Sequence, residues 1–218
     1  MKAGEKIKSG FKKFWFLLWK DNSVKGWAFS MIFLFVFIKF IFFPGLSLVT
    51  GTTLPLAIVE SCSMYHQNNF FSFFAPWFET HEAKYQEFNI TKNEFEHFIL
   101  RRGFSKGDIL FIIKANPDKL KIGDIIAFNS GTGNTPVIHR IIKIEEKDGK
   151  KLFTTIGDNN NKMLVPGNNP ADVDERETKE EQLVGKAVLR VVPWLGWVKL
   201  IFYENSRLPE DRGFCTAN

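Results

Sequence analysis

Cysteine is nearly absent: Cys62 and Cys215 are the only two in 218 residues. Two thiols do not make a disulfide framework. Cys62 reads as a small packed residue, and Cys215, in a polar tail, as unpaired. Metal-ligand spacing is also missing. Three of the four histidines (His66, His81 and His97) fall in residues 65–104 without the pattern a metal needs, so neither a metal nor another cofactor is expected. The chain lacks a second long apolar run. Val191 to Phe202 is interrupted by Pro193, Gly196 and Lys199 and reads as a strand end or an interfacial segment. Finally, the body of the chain lacks charge of one sign. Residues 1–25 hold seven of the 29 basic residues and two of the 24 acidic ones, which accounts for the formal charge of +5. The remainder is neutral and has no basic cluster, which argues against a nucleic-acid partner.

What is abundant is phenylalanine, with 24 copies concentrated in residues 11–43 and 70–78. Gly26 to Phe43 is apolar except for Lys39, and with Val24 and Pro44-Gly45-Leu46 it reaches the length needed to span a bilayer. Lys39 lies near one end, where its stem can snorkel to the interface. The lysines precede this run, so the positive-inside rule puts residues 1–25 in the cytoplasm and everything after the anchor (26–46) outside. A cleaved signal peptide would have a shorter core and a small-residue cleavage site, so a retained single-pass anchor in the cell membrane is expected. Residues 11–19 mix lysines with aromatics, as a helix in the interface does.

Beyond the anchor the pattern is β. Runs 55–59, 109–113, 124–128, 136–146, 152–156 and 183–192 have strand-like content between turn signals. Asp148-Gly149 between two of them predicts a tight hairpin. This reads as a compact, mainly β domain over residues 54–203, followed by a polar tail, 204–218. Two stretches interrupt it. Residues 65–104 are Phe-rich, then acidic, with a capped helix over 91–100. Residues 161–181 read as a loop.

Three short stretches carry chemistry: Ser61-Cys62-Ser63-Met64, Val137-Ile138-His139-Arg140 and Thr155-Ile156-Gly157-Asp158-Asn159-Asn160. They offer a serine, a histidine and an acid. A serine becomes a nucleophile when a base takes its proton. Histidine suits that role near neutral pH, and an acid orients the imidazole.

With Gly107-Asp108-Ile109-Leu110, Gly123-Asp124-Ile125-Ile126-Ala127-Phe128 and Pro193-Trp194-Leu195-Gly196, these stretches stand in an order that resembles type I signal peptidases, most closely the archaeal and endoplasmic-reticulum branch. The likeness covers roughly residues 26–203 apart from two insertions. It implies an all-β catalytic domain of signal-peptidase type behind one transmembrane helix. It also implies a serine endopeptidase that removes signal peptides from secretory precursors after small residues, through an acyl-enzyme. Ser63 would be the nucleophile, Ser61 an oxyanion-hole donor, and His139 the base where bacterial members carry lysine. Partners would be signal peptides, membrane lipid and secretion machinery.

The acid departs from the family pattern, which places one Asp in the Gly-Asp-Asn-Asn box and a second about six residues later. Asp158 fills the first; the second position is Leu164. Asp172 and Asp174 lie beyond it, and Val173-Asp174-Glu175-Arg176 looks like the acidic motif displaced by an insertion. Asp158 and Asp174 both stand as acids for His139. The 65–104 insertion is either a lid that dips its aromatics into lipid or a cap whose aromatics pack inward. Competing functions are a Ser/Lys protease using Lys143 or Lys114, and an inactive anchored β-domain that binds substrates or partners.

Overall fold

The computed structural model describes residues 3–67, 74–130, 135–167 and 173–216. They form two units, residues 1–49 and 50–218.

The first unit is helical. Helix α1 (Ala3–Trp19) is joined to a 27-residue helix, α2 (Val24–Thr50), which is long and apolar enough to cross a membrane. Ser23 caps α2 by accepting from the Gly26 N–H at 3.1 Å. Ser30 on α2 donates to the Leu18 carbonyl at 2.9 Å, and Phe14 packs edge-on against Phe29 and Phe33. The lysine- and aromatic-rich segment therefore folds against α2. Pro44 does not end α2. It cannot donate to the carbonyl one turn back, and the helix widens over Ile38–Phe42, where the Phe43 N–H bonds to the Ile38 carbonyl, before continuing.

The second unit is built on a seven-stranded antiparallel sheet in the order β1-β2-β7-β3-β4-β5-β6. The strands are β1 (Leu56–Ile58), β2 (Ile109–Ile113), β3 (Ile125–Phe128), β4 (Val137–Lys147), β5 (Lys150–Ile156), β6 (Thr178–Lys179) and β7 (Leu183–Val192). Asp148 and Gly149 both take positive φ, 53° and 72°, the turn that matches the twist of β4 and β5. Central strand β3 is buried throughout. Its Ile125 joins a cluster with Ala57, Met64 and Leu110, whereas the neighbouring Ile126 joins one with Leu120, Ile141 and Phe153. Alternate side chains thus fill two faces of one sheet. The sheet is capped at one end by the insertion, whose helix α3 (Phe74–Gln86) and short helix α4 (Lys92–Glu96) bury Trp77, Phe78, Tyr85 and Phe95 against Ile142 and Ile156. Among the described residues its aromatics pack inward; Phe70, Phe71 and Phe73 lie outside them. The capped helix expected over 91–100 is α4, opened by a Thr91/Glu94 capping box and closed by His97 after five residues.

The cysteines differ from the sequence reading. Cys62 and Cys215 are joined in a disulfide, with Cα atoms 5.4 Å apart and 153 residues between them. Neither is free, and the tail is tied to the body. In the chain-entropy account, a loop of that size stabilises by about 5 kcal/mol.

Candidate active site

Ser63 lies in the turn that follows β1. The Ser63 carbonyl accepts from the Asn159 N–H at 2.7 Å, and the Cys62 carbonyl accepts from the Asn159 side-chain amide at 3.1 Å. The Gly-Asp-Asn-Asn turn after β5 thus holds the serine turn in place. Ser61 and Ser63 bring their Oγ atoms to 3.1 Å of each other. Both line a cleft of about 470 Å³ together with His139, between β1 (Ile58) and the start of β4 (Val137, Ile138). Phe104 and Leu164 give it an apolar floor and rim.

His139 is buried on β4, and its Nδ1 lies 2.5 Å from Glu175 Oε1. Glu175 is fully buried. Its Oε1 also accepts from Thr155 Oγ1 at 3.0 Å, and its Oε2 accepts from the Leu164 N–H at 2.7 Å. An ionised carboxylate only accepts. A His139 proton on Nδ1 would satisfy this carboxylate and leave Nε2 free to take a proton from a hydroxyl.

Neither Asp158 nor Asp174 stands there. Asp174 turns outward and pairs with Arg176, at 2.7–2.8 Å. Its carboxyl is held below the usual range by that guanidinium. Asp172 lies outside the described residues. Asp158 is fully buried under Arg140. It receives Arg140 Nε at 2.9 Å and Nη2 at 2.6 Å, the Tyr85 hydroxyl at 2.9 Å and His66 Nε2 at 2.9 Å. Burial alone would raise its pKa; the Arg140 charge and these hydrogen bonds prevail and hold it far below the carboxylate range. The cause is strand geometry. His139 and Arg140 are consecutive on β4 and face opposite ways, so an acid that meets one misses the other.

Glu175 could have been found from a similar alternation in the turn before β6. In Val173-Asp174-Glu175-Arg176, Val173 packs on the core and Asp174 and Arg176 point out. Glu175 shares the inward face with Val173. It also lies beside Leu164, the residue six on from Asp158. The Glu175 N–H donates to the Leu164 carbonyl at 3.0 Å while the Leu164 N–H docks its carboxylate. Glu175 thus meets Leu164 across a separation of eleven residues.

Arg140 satisfies all five donors: two on Asp158, and the others on the carbonyls of Ile99, Leu100 and Gly123 at 2.9–3.2 Å. Removing one partner of a buried, hydrogen-bonded pair leaves a bare charge. Arg140→Met is therefore expected to lower the unfolding free energy by about 3–5 kcal/mol. Urea titration checks this; a loss under about 1 kcal/mol would contradict the assignment of Asp158 as a structural anion.

Lys84 of α3 adds a second brace. Its ammonium donates to the Asp158 and Asn160 carbonyls at 2.5 and 3.0 Å, and burial pulls its pKa down to about 8. The insertion thus reaches under the turn that holds Ser63. His66 stacks on Trp77 with ring centres 3.4 Å apart. Burial pulls its pKa down to about 4, against the upward pull of Asp158, so the 2.9 Å contact is a neutral imidazole donating to a carboxylate rather than an ion pair. An unfolded histidine takes its proton near pH 6.5 and the folded one near 4. Stability from this residue is complete above about 6.5 and is lost as pH falls toward 4, by about 3 kcal/mol in all. Denaturation of wild type and His66→Gln across that window checks the sign: the pH slope flattens in the variant, and an unchanged slope would contradict it.

Lys143 and Lys114 are exposed; Lys143 pairs with Glu145 at 2.8 Å, and neither lines the cleft. Among the described residues no group of three or more His, Cys, Asp or Glu side chains could hold a metal.

No family model matches the chain. Curated proteins do. It is 28% identical over 172 residues to the signal peptidase complex catalytic subunit SEC11 of Lachancea thermotolerans, covering 77% of each chain. To the Zygosaccharomyces rouxii protein of that name it is 26% identical over 168 residues, again 77% of each. The chain is a homologue of signal peptidase catalytic subunits. To the human catalytic subunit SEC11C it is 33% identical over 107 residues, 45% of this chain and half the length of that relative. This kinship supports a signal-peptidase function in general, and the mainly β architecture agrees with it.

Proposed function

We propose that this chain is a membrane-anchored serine endopeptidase that removes signal peptides from secretory precursors after small residues. The observation that carries this reading is one cleft holding Ser61, Ser63 and His139, with the imidazole fixed from behind by Glu175 at 2.5 Å. In this reading His139 Nε2 takes the Ser63 proton as Oγ attacks the scissile carbonyl. The Ser61 hydroxyl and the Ser63 backbone N–H receive the oxyanion. His139 then protonates the leaving amine, and water releases the acyl group by the same route in reverse. Glu175 orients the imidazole and stabilises its charged form. Asp158 has a supporting role, since its turn positions Ser63 through Asn159.

The cleft suits an extended peptide. Edge strand β1 forms one side, and the residues of β4 at the cleft precede those that pair with β5. A peptide strand can add hydrogen bonds there while its small side chains enter beside Ser63. The 27-residue helix α2 anchors the enzyme, with residues 1–25 cytoplasmic and the β-domain outside, by the lysine excess at the N-terminus. Signal peptides, membrane lipid and other secretion components are its partners in this reading.

The test is cleavage of a secretory precursor by the full chain in liposomes, with the new N-terminus read by mass spectrometry. A single cut after a small residue at the end of the signal peptide is expected. An intact precursor, or cuts scattered through the mature part, would contradict the proposal.

A further inference from the structure

Residues 204–216 run back across the turn that carries Ser63. The segment is built from two short turns, Glu204–Ser206 and Pro209–Asp211, and is pinned from below by Lys106. That lysine is 1% exposed and donates to Glu204 at 2.5 Å and to the Asp211 carbonyl at 2.6 Å. The Gly213 N–H closes onto Glu204 at 2.7 Å, and Phe214 lies on Trp197 with ring centres 4.8 Å apart. This is an ordered strap.

It touches the serine turn at two points, each one residue from a hydroxyl of the site. Arg207 donates to the Glu60 carbonyl at 2.9 Å and to its carboxylate at 2.8 Å, next to Ser61. Cys215 is bonded to Cys62, between Ser61 and Ser63. Arg207 also lines the cleft. On the other side, Asn159 holds the Cys62 and Ser63 carbonyls independently of the strap. Opening the disulfide therefore leaves the turn folded while it frees the side on which both hydroxyls are set.

We propose that residues 204–216 form a strap that positions Ser61 and Ser63, and that the Cys62–Cys215 disulfide is its latch, opened by dithiols. The inference rests on reading Ser63 as the nucleophile. Both cysteines are half-buried, so a small reductant can reach them. One thiolate of a dithiol attacks a sulfur of the latch and forms a mixed disulfide. Its second thiol then closes the reductant into its own disulfide, and two electrons and two protons pass to Cys62 and Cys215 as thiols. The sulfurs do no chemistry on substrate; they are positioning residues.

The experiment compares the full chain in liposomes before and after dithiothreitol, beside Cys215→Ser and Arg207→Ala. In reduced wild type and in both variants, kcat for precursor cleavage is expected to fall about tenfold; KM stays within about twofold in reduced wild type and Cys215→Ser, where the cleft-lining residues are unchanged and only the reacting geometry is lost. Dithiothreitol should not change Cys215→Ser further. Trypsin gives a readout without catalysis: reduction should speed cutting after Arg207 and Arg212. An unchanged kcat on reduction, a rise in KM alone, or an unchanged tryptic rate would overturn the strap. If oxidised wild type cuts no precursor, the peptidase reading fails instead, and the tryptic rates still decide whether the latch holds the segment.

Discussion

Ser63→Ala and His139→Ala are each expected to lower kcat for precursor cleavage by about 10⁶-fold, and the double variant to be no worse than either. The argument is one of shared function. Ser63 Oγ is a poor nucleophile with its proton in place, and in the proposed mechanism His139, on the same cleft and with its Nδ1 against Glu175, is the base. Losing either removes the same covalent step, so the losses do not add. What remains comes from oxyanion donors and substrate binding. Steady-state kinetics on the full chain in liposomes checks this. A double variant worse than the singles by the product of their effects would mean that the two residues act in separate steps.

Glu175→Gln is expected to lower kcat by about 10⁴-fold with little change in KM, the scale on which an acid is lost when its amide replaces it and the wrong tautomer results. An amide can offer Nδ1 a hydrogen-bond donor, which favours the proton on Nε2 and blocks the base. It also removes the charge that stabilises the imidazolium. The carboxylate accepts from Thr155 and Leu164 as well, at 3.0 and 2.7 Å, so some stability is lost too. Activity is therefore compared at equal folded fractions. Asp174→Asn, whose side chain faces outward to Arg176, should stay within about twofold because exposed pairs contribute little. Equal losses in the two variants would contradict the assignment.

Much of the fold was legible because the sheet is patterned locally. The runs of β2, β3, β4, β5 and β7 lie within about two residues of where turn chemistry and periodicity put them, and Asp148-Gly149 makes its hairpin with both residues at positive φ. That Ser63 and His139 share one cleft follows from the short motifs that carry them. The carboxylate that lies against His139 was not legible, for two reasons. Asp158 sits in the motif but meets Arg140, since neighbours on a strand face opposite ways. Glu175 stands eleven residues beyond Leu164, a separation no local rule sets, and it is a glutamate where the family pattern has an aspartate. The disulfide was hidden for a similar reason: 153 residues separate its ends, and only the tertiary fold brings them together. Strand β6 has two residues, too few for any period to show. The inward packing of Trp77, Phe78 and Phe95 depends on Ile142 and Ile156, which are distant in sequence. Composition alone could not tell that arrangement from a lipid-facing one.

The most direct test of the Ser63–His139–Glu175 arrangement is the protonation state of His139 itself. Nitrogen NMR on histidine-labelled full chain in micelles at neutral pH reads which ring nitrogen carries the proton, with His139→Gln used to assign the signal. The proton is predicted on Nδ1 in wild type and in Asp174→Asn, and displaced to Nε2 or shared between the nitrogens in Glu175→Gln. A wild-type His139 protonated on Nε2, or a signal that Glu175→Gln leaves untouched, would contradict the account.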